Sequence, residues 1–153
     1  MEGTTPYVVL GNHGQPLARE LHATGPLSEP EALTVAAEIA DALGYLHGLG
    51  YAYQMVEPGS IYRHPESRGI VLGWPAYCCA LGSETADRRV YVKAYAAPEV
   101  STAATFEPAT DIYGIGAVLL FALTGRRTSA LADRKSTRLN SSHSSVSRMP
   151  SSA

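Results

Sequence analysis

The chain has 153 residues, 45% of them hydrophobic and 17% charged, a globular composition sufficient for one domain of ordinary size. Its formal charge of -2 is unevenly divided, because Arg134, Lys135, Arg138 and Arg148 against Asp133 give residues 133–153 a charge of +3 and leave the rest at -5. An acidic body speaks against a nucleic-acid footprint, so no nucleic-acid partner is expected.

In chain order, Tyr7-Val8-Val9-Leu10 is a short apolar run of β character that ends at Gly11-Asn12-His13-Gly14, a strand entering a turn. Leu17 to His22 is predicted as a short helix ended by Gly25-Pro26. Ser28 and Glu31 form a capping box ahead of a longer helix, in which Leu33, Ala36, Ala37, Ala40, Leu43 and Leu46 recur at helical spacing opposite Glu38 and Asp41. Gly48 and Gly50 stop that helix, and His47 near its end reads as a packed residue. Ile61-Tyr62-Arg63, the turn His64 to Gly69, and Ile70-Val71-Leu72 read as a hairpin.

Cys78 and Cys79 are the only cysteines. Neighbours in a strand face opposite ways and a bond between them would be strained, so both read as reduced thiols of an intracellular, cytoplasmic protein. No basic and then apolar leader opens the chain, and secretion is not expected. Ser83, Thr85 and Tyr91 offer hydroxyls for phosphorylation.

Thr110 to Gly125, TDIYGIGAVLLFALTG, is the stretch around which the rest is organised. Ile112, Ile115, Val118, Leu119, Ala122 and Leu123 cover more than one face, with Leu120 and Phe121 filling the remainder, so this helix is predicted at the centre of a domain. Thr110 or Asp111 is placed to cap its start, and Gly125 to end it in the left-handed conformation. Its apolar run is shorter than the about 20 residues that a membrane span needs.

Tyr95-Ala96-Ala97-Pro98-Glu99-Val100, followed at the family's interval by Asp111-Ile112-Tyr113-Gly114-Ile115-Gly116 and Leu123-Thr124-Gly125, resembles the eukaryotic-type protein kinases, in particular the Ser/Thr kinases of bacteria. The resemblance implies an α+β, kinase-like fold that is partial: a hinge strand plus a mainly helical C-terminal lobe, truncated after the central helix and spanning residues 1–132. It gives Pro98, Glu99 and Asp111 structural roles, with Asp111 accepting the amides of Tyr53 and Gln54, and Glu99 lacking the arginine it would pair with. It places Leu10 at the gatekeeper, and Leu10, Gly11, His13 and Tyr62 around an adenine slot.

Gly50 to Tyr62 aligns without a gap on the family's catalytic loop, with Pro58 and Ile61 holding the register. Met55 then stands where the family has its catalytic Asp, Glu57 where it has Lys, and Ser60 where it has the metal-binding Asn. Gly73-Trp74-Pro75 stands in place of Asp-Phe-Gly, so Gly73 replaces the principal metal carboxylate. A thioether cannot act as the general base, a role worth roughly 10²- to 10⁴-fold. Glu57 places negative charge beside a polyanion. The resemblance thus implies a pseudokinase, a regulatory or binding module with a protein partner and with no catalytic residue or metal site of its own. ATP remains the candidate ligand, and Mg²⁺ binding is not expected. The alternative is an active Ser/Thr kinase using relocated groups, and a third reading is a remnant with no kinase-related role.

Asp133 to His143, DRKSTRLNSSH, resembles one reading frame of a short-read sequencing adapter, and Ser147 to Ala153, SRMPSSA, resembles its continuation. Residues 133–153 are therefore expected to be a non-native tail, with natural sequence ending near Ala132.

Overall fold

The computed structural model describes residues 11–73, 78–84, 91–102 and 105–127. The run Tyr7 to Leu10, the residues Trp74, Pro75 and Thr85, and the tail from Asp133 onward lie outside them. The elements are β1 (Gln15–Pro16), α1 (Leu17–Thr24), α2 (Glu29–Gly48), β2 (Tyr51–Ala52), β3 (Ile61–Arg63), β4 (Ile70–Leu72), β5 (Cys79–Ala80), a 3₁₀ turn (Pro98–Ser101) and α3 (Pro108–Thr124). This mixture of short strands and helices is compatible with the partial kinase-like fold expected from the sequence. Among the described residues, no helix is long and apolar enough to cross a membrane.

Two small antiparallel sheets flank the helices. The predicted hairpin is β3 and β4, with Ile61 opposite Leu72 and Arg63 opposite Ile70, and β1 pairs with the other edge of β3. Gly14 leads into β1 at a φ of 91°, and a Cβ there would collide with the Arg63 carbonyl, so only glycine fits. A second sheet, which the sequence did not reveal, pairs β2 with β5 through Tyr51 opposite Ala80 and Ala52 opposite Cys79.

Helix α2 begins as predicted, with the Glu31 carboxylate accepting from both the Ser28 hydroxyl, at 2.6 Å, and its amide, at 3.2 Å. Its buried face differs from the expectation. Ala32, Val35, Ile39 and Leu43 point inward, whereas Leu33 is 51% exposed and Ala37 and Ala40 are exposed. The stripe is rotated by one position because the branched Val35 and Ile39 bury more apolar surface than the alanines beside them. Glu38, assigned to the solvent side, is half-buried and accepts the Ile70 amide at 2.6 Å, fastening α2 to β4.

Helix α3 packs on α2 and also departs from the expectation. It starts earlier than Thr110, at Pro108, whose missing amide and fixed φ suit a first helical position. Neither Thr110 nor Asp111 caps it. The Thr110 hydroxyl donates to the Glu107 carbonyl at 2.8 Å, and Asp111 turns away to other partners. Gly125 ends the helix at a φ of 67°, as expected. The inward residues are Asp111, Gly114, Ala117, Val118 and Ala122, while Ile112 is 55% exposed and Tyr113 and Leu123 are also exposed. The helix is therefore covered on one side only by the described residues, and its small residues make the closest approach. A Cβ on Gly114 would lie 2.6 Å from the Val56 Cβ, so this glycine lets α3 press against the segment that follows β2.

The main core joins Leu17 and Leu21 of α1, Ile39 and Leu43 of α2, and Val118 of α3 to Tyr53 and Ile61. Arg63 on β3 ties α1 down through Nε, which lies 2.8 Å and 3.0 Å from the two Glu20 oxygens. Both cysteines are unpaired, as the sequence implied. Cys79 belongs to a second cluster with Ala52 and Phe106, and Cys78 packs on the main core, so the neighbours do face opposite ways.

Candidate functional site

The loop between β2 and β3 is held from below by one carboxylate. Asp111, 1% exposed, accepts the Tyr53 amide at 2.8 Å on Oδ2 and the Gln54 amide at 2.7 Å on Oδ1. The Nε2–H of His47, on the last turn of α2, donates to Oδ2 at 2.9 Å. A buried carboxylate is tolerable only when its lone pairs are filled, and three donors from two elements fill them here. Gln54 takes a left-handed φ of 68°, which turns its amide toward Asp111. The sequence reading foresaw the two amides and missed His47. Its only signal was a histidine at a helix end.

The upper side of the same loop holds the positions expected to carry chemistry, and there the side chains serve the loop itself. Met55 is half-buried against the main core. The Ser60 hydroxyl donates to the Met55 carbonyl and contacts the Glu57 carbonyl at 3.0 Å, while the Glu57 amide donates to the Ser60 hydroxyl oxygen, 3.3 Å away. That hydroxyl closes the turn and is not free for a ligand. Glu57 is half-buried, and burial raises its carboxyl above the ordinary range, partly offset by the charge of Arg127.

Gly73 is buried at the end of β4, where its amide donates to the Ser60 carbonyl at 2.7 Å and its carbonyl accepts the Tyr53 hydroxyl at 3.2 Å. A Cβ on Gly73 would lie 2.7 Å from Cε2 of Tyr62 and 3.0 Å from the Ser60 carbonyl oxygen. The Tyr62 ring therefore fills the space that a side chain at position 73 needs. Burial pushes the Tyr53 hydroxyl up to about 12, so it stays protonated and keeps donating to Gly73. Magnesium requires hard oxygen ligands, and at the two positions where the resembled family has its metal ligands Ser60 spends its hydroxyl on its own turn and Gly73 has no side chain. The residues present do not fit the ion. Among the described residues, no three His, Cys, Asp or Glu side chains come together as a metal group.

Of the predicted adenine slot, Leu10 lies outside the described residues. Gly11 is exposed, and His13 stands edge-on to Tyr62 with ring centres 6.0 Å apart. Pro98 opens the 3₁₀ turn, and Glu99 on that turn is exposed. Through Val100 the turn contributes to the wall of a small cavity of about 30 Å³ that also borders the 54–57 stretch. Tyr95, a buried residue, stands in this wall and meets the Phe121 ring edge-on at 6.0 Å.

No family model matches the chain. Similarity to individual proteins is extensive within the chain. It is 30% identical over 125 residues, 79% of its length, to serine/threonine-protein kinase F of Synechocystis sp., of which it covers 25%. It is 32% identical over 127 residues, 82% of its length, to serine/threonine-protein kinase PknK of Mycobacterium tuberculosis, covering 11% of that protein. It is 32% identical over 129 residues to serine/threonine-protein kinase PknA of the same species, covering 30%. These relatives are Ser/Thr protein kinases. They support a kinase-like domain over most of the chain, which spans between 11% and 30% of the length of these relatives.

Proposed function

We propose that this chain is a kinase-like module that does not transfer phosphate and instead binds and regulates a partner protein. The observation that carries the reading is the seal over Gly73, where the Tyr62 ring and the Ser60 carbonyl occupy the space a metal-binding side chain would need. The Ser60 hydroxyl, consumed by its own turn, and Met55, packed on the core, point the same way. A frame anchored at Asp111 together with an altered reacting face suits a domain retained for its surface. The unpaired Cys78 and Cys79 support a reducing, cytoplasmic setting. Metal-free ATP remains the nucleotide this slot would take, with Tyr62 beneath the base and His13 at its edge.

The test is transfer of labelled γ-phosphate from Mg²⁺-ATP, to itself and to a general protein substrate, by the full chain. No transfer is expected. A second reading, an active kinase with relocated groups, draws on Glu57, the one carboxylate on the loop and one with a raised pKa. Magnesium-dependent transfer that survives Met55→Ala and disappears in Glu57→Gln would establish that reading and remove the first.

A further inference from the structure

We propose that the open groove between α1, the entry to β1 and the β3–β4 turn binds an acidic segment of a partner protein, with a glutamate or aspartate carboxylate held by the guanidinium groups of Arg63 and Arg68. The inference rests on the reading of this chain as a partner-binding module and names where the partner sits and what it presents.

The groove has a volume of about 560 Å³, and its charged lining residues are Arg63, Arg68 and Glu20, which leave it one positive charge in excess. Arg19, Arg63 and Arg68 are the only Lys or Arg residues between positions 11 and 73, so two of the three meet here on an otherwise acidic body.

The base of the groove is fixed. Arg63 Nε lies 2.8 Å and 3.0 Å from the two Glu20 oxygens, and these side chains are 15% and 17% exposed. Arg63 Nη1 donates to the Arg68 carbonyl at 3.3 Å. Arg68, by contrast, is 66% exposed and reaches Glu20 through Nη2 alone, at 3.4 Å. Among the described residues, Arg63 Nη2 and Arg68 Nε and Nη1 have no hydrogen-bond partner. One carboxylate is thus shared by two guanidinium forks and already taken by the first. A second carboxylate balances the remaining charge and matches the fork geometry, whereas a phosphate dianion would bring excess negative charge toward Glu20.

The backbone gives an independent sign. Arg68 has a φ of 62°, a region costly for a residue with a Cβ, while Gly69 beside it does not use positive φ. The turn around it is well bonded, with the Arg68 amide donating to the His64 carbonyl at 3.0 Å and the Glu66 and Ser67 amides donating to His64 Nδ1. Arginine stands there against the local backbone preference, which points to a use for its side chain. At the other end of the groove are the exposed amide side chains of Asn12 and Gln15. The Gly14 amide donates to Asn12 Oδ1 at 2.9 Å, which leaves the Asn12 NH₂ to donate elsewhere. Such amides pair with a peptide backbone, and they favour a peptide over a small free acid.

The experiment measures fluorescence polarisation of labelled peptides, each with a central glutamate and small polar flanks, against the full chain. Matched peptides carry glutamine, the neutral isostere. Glutamate peptides are expected to bind, and glutamine to weaken them by about tenfold or more, the size of a charge-assisted hydrogen bond. Arg68→Gly is expected to cause a similar loss of binding while its melting temperature stays level or rises, because glycine accepts this φ without strain. Arg68→Gln, which keeps most of the side chain and removes the charge, is expected to lose binding as Arg68→Gly does.

Equal affinity for glutamate and glutamine peptides, or no binding at millimolar peptide, would overturn the proposal. So would binding that persists in both Arg68 variants, the result expected if the basic residues 133–153 hold the peptide instead. Displacement by free glutamate at the peptide's own concentration would overturn the peptide as the occupant. None of these failures bears on phosphate transfer, and magnesium-dependent transfer would remove the underlying reading whatever the peptides do.

Discussion

The two sides of the loop from Tyr53 to Ser60 differ in what holds them and in what they offer. Below, Asp111 gathers two amides and an imidazole around a carboxylate that water does not reach. Above, Met55, Ser60 and Gly73 are turned inward, packed on the core, on their own carbonyls or under a tyrosine ring. In the resembled family the lower side positions the backbone and the upper side carries the reacting groups. The contrast teaches that placing a loop and arming it are tasks of different residues.

The strongest way to break this comparison is to remove the anchor. Asp111→Ala leaves the Tyr53 and Gln54 amides and the His47 ring without their acceptor, and losing one partner of a buried charged network costs about 3–5 kcal/mol. Urea unfolding of the full chain should show that loss, much of the stability of an ordinary domain. A change below about 1 kcal/mol would mean that the loop holds itself.

A smaller effect tests the upper side. Gly73→Asp should destabilise by about 1–3 kcal/mol through overpacking against Tyr62, without creating a Mg²⁺-dependent rise in melting temperature. Adding Tyr62→Leu should recover part of that loss, and the coupling between the two sites in a double-mutant cycle measures the seal. Strict additivity would show that the ring does not fill the position.

The smallest effect concerns Glu57. Its folded carboxyl is raised, chiefly by burial, so the folded chain holds that proton more tightly than the unfolded one. The associated stability is full below the ordinary carboxylate pKa and is lost as pH rises through the raised value. At neutral pH the charged form therefore works against folding, and Glu57→Gln should raise the melting temperature at pH 7. The gain should shrink toward zero below pH 4, where both chains are neutral at this position. A loss at pH 7 would mean that the Arg127 charge outweighs burial.

How much of this was legible depends on the range of the interaction. The capping box at Ser28 and Glu31, the hairpin at Ile61 to Leu72 and the left-handed end at Gly125 are local, and the sequence displays them directly. The face of α2 was misread because alanines and leucines at several offsets give an ambiguous stripe, which packing resolves in favour of Val35 and Ile39. Strands β2 and β5 are two residues each, too short for any alternating pattern to appear. At the site, the two amide partners of Asp111 followed from the resemblance. The His47 contact and the Tyr62 ring over Gly73 did not, because both depend on how separate elements meet. The feature that most distinguishes the upper side was therefore the one that residue types alone could not reveal.

The Asp111 anchor has a consequence for motion. Its partners lie 57, 58 and 64 residues away along the chain, so the hydrogen bonds at Tyr53 and Gln54 exist only while α3 stays docked. Loop amides usually exchange with solvent through small local openings, whereas these two have no local route. Their hydrogens should exchange as slowly as those of the α2 core, through opening of the whole domain.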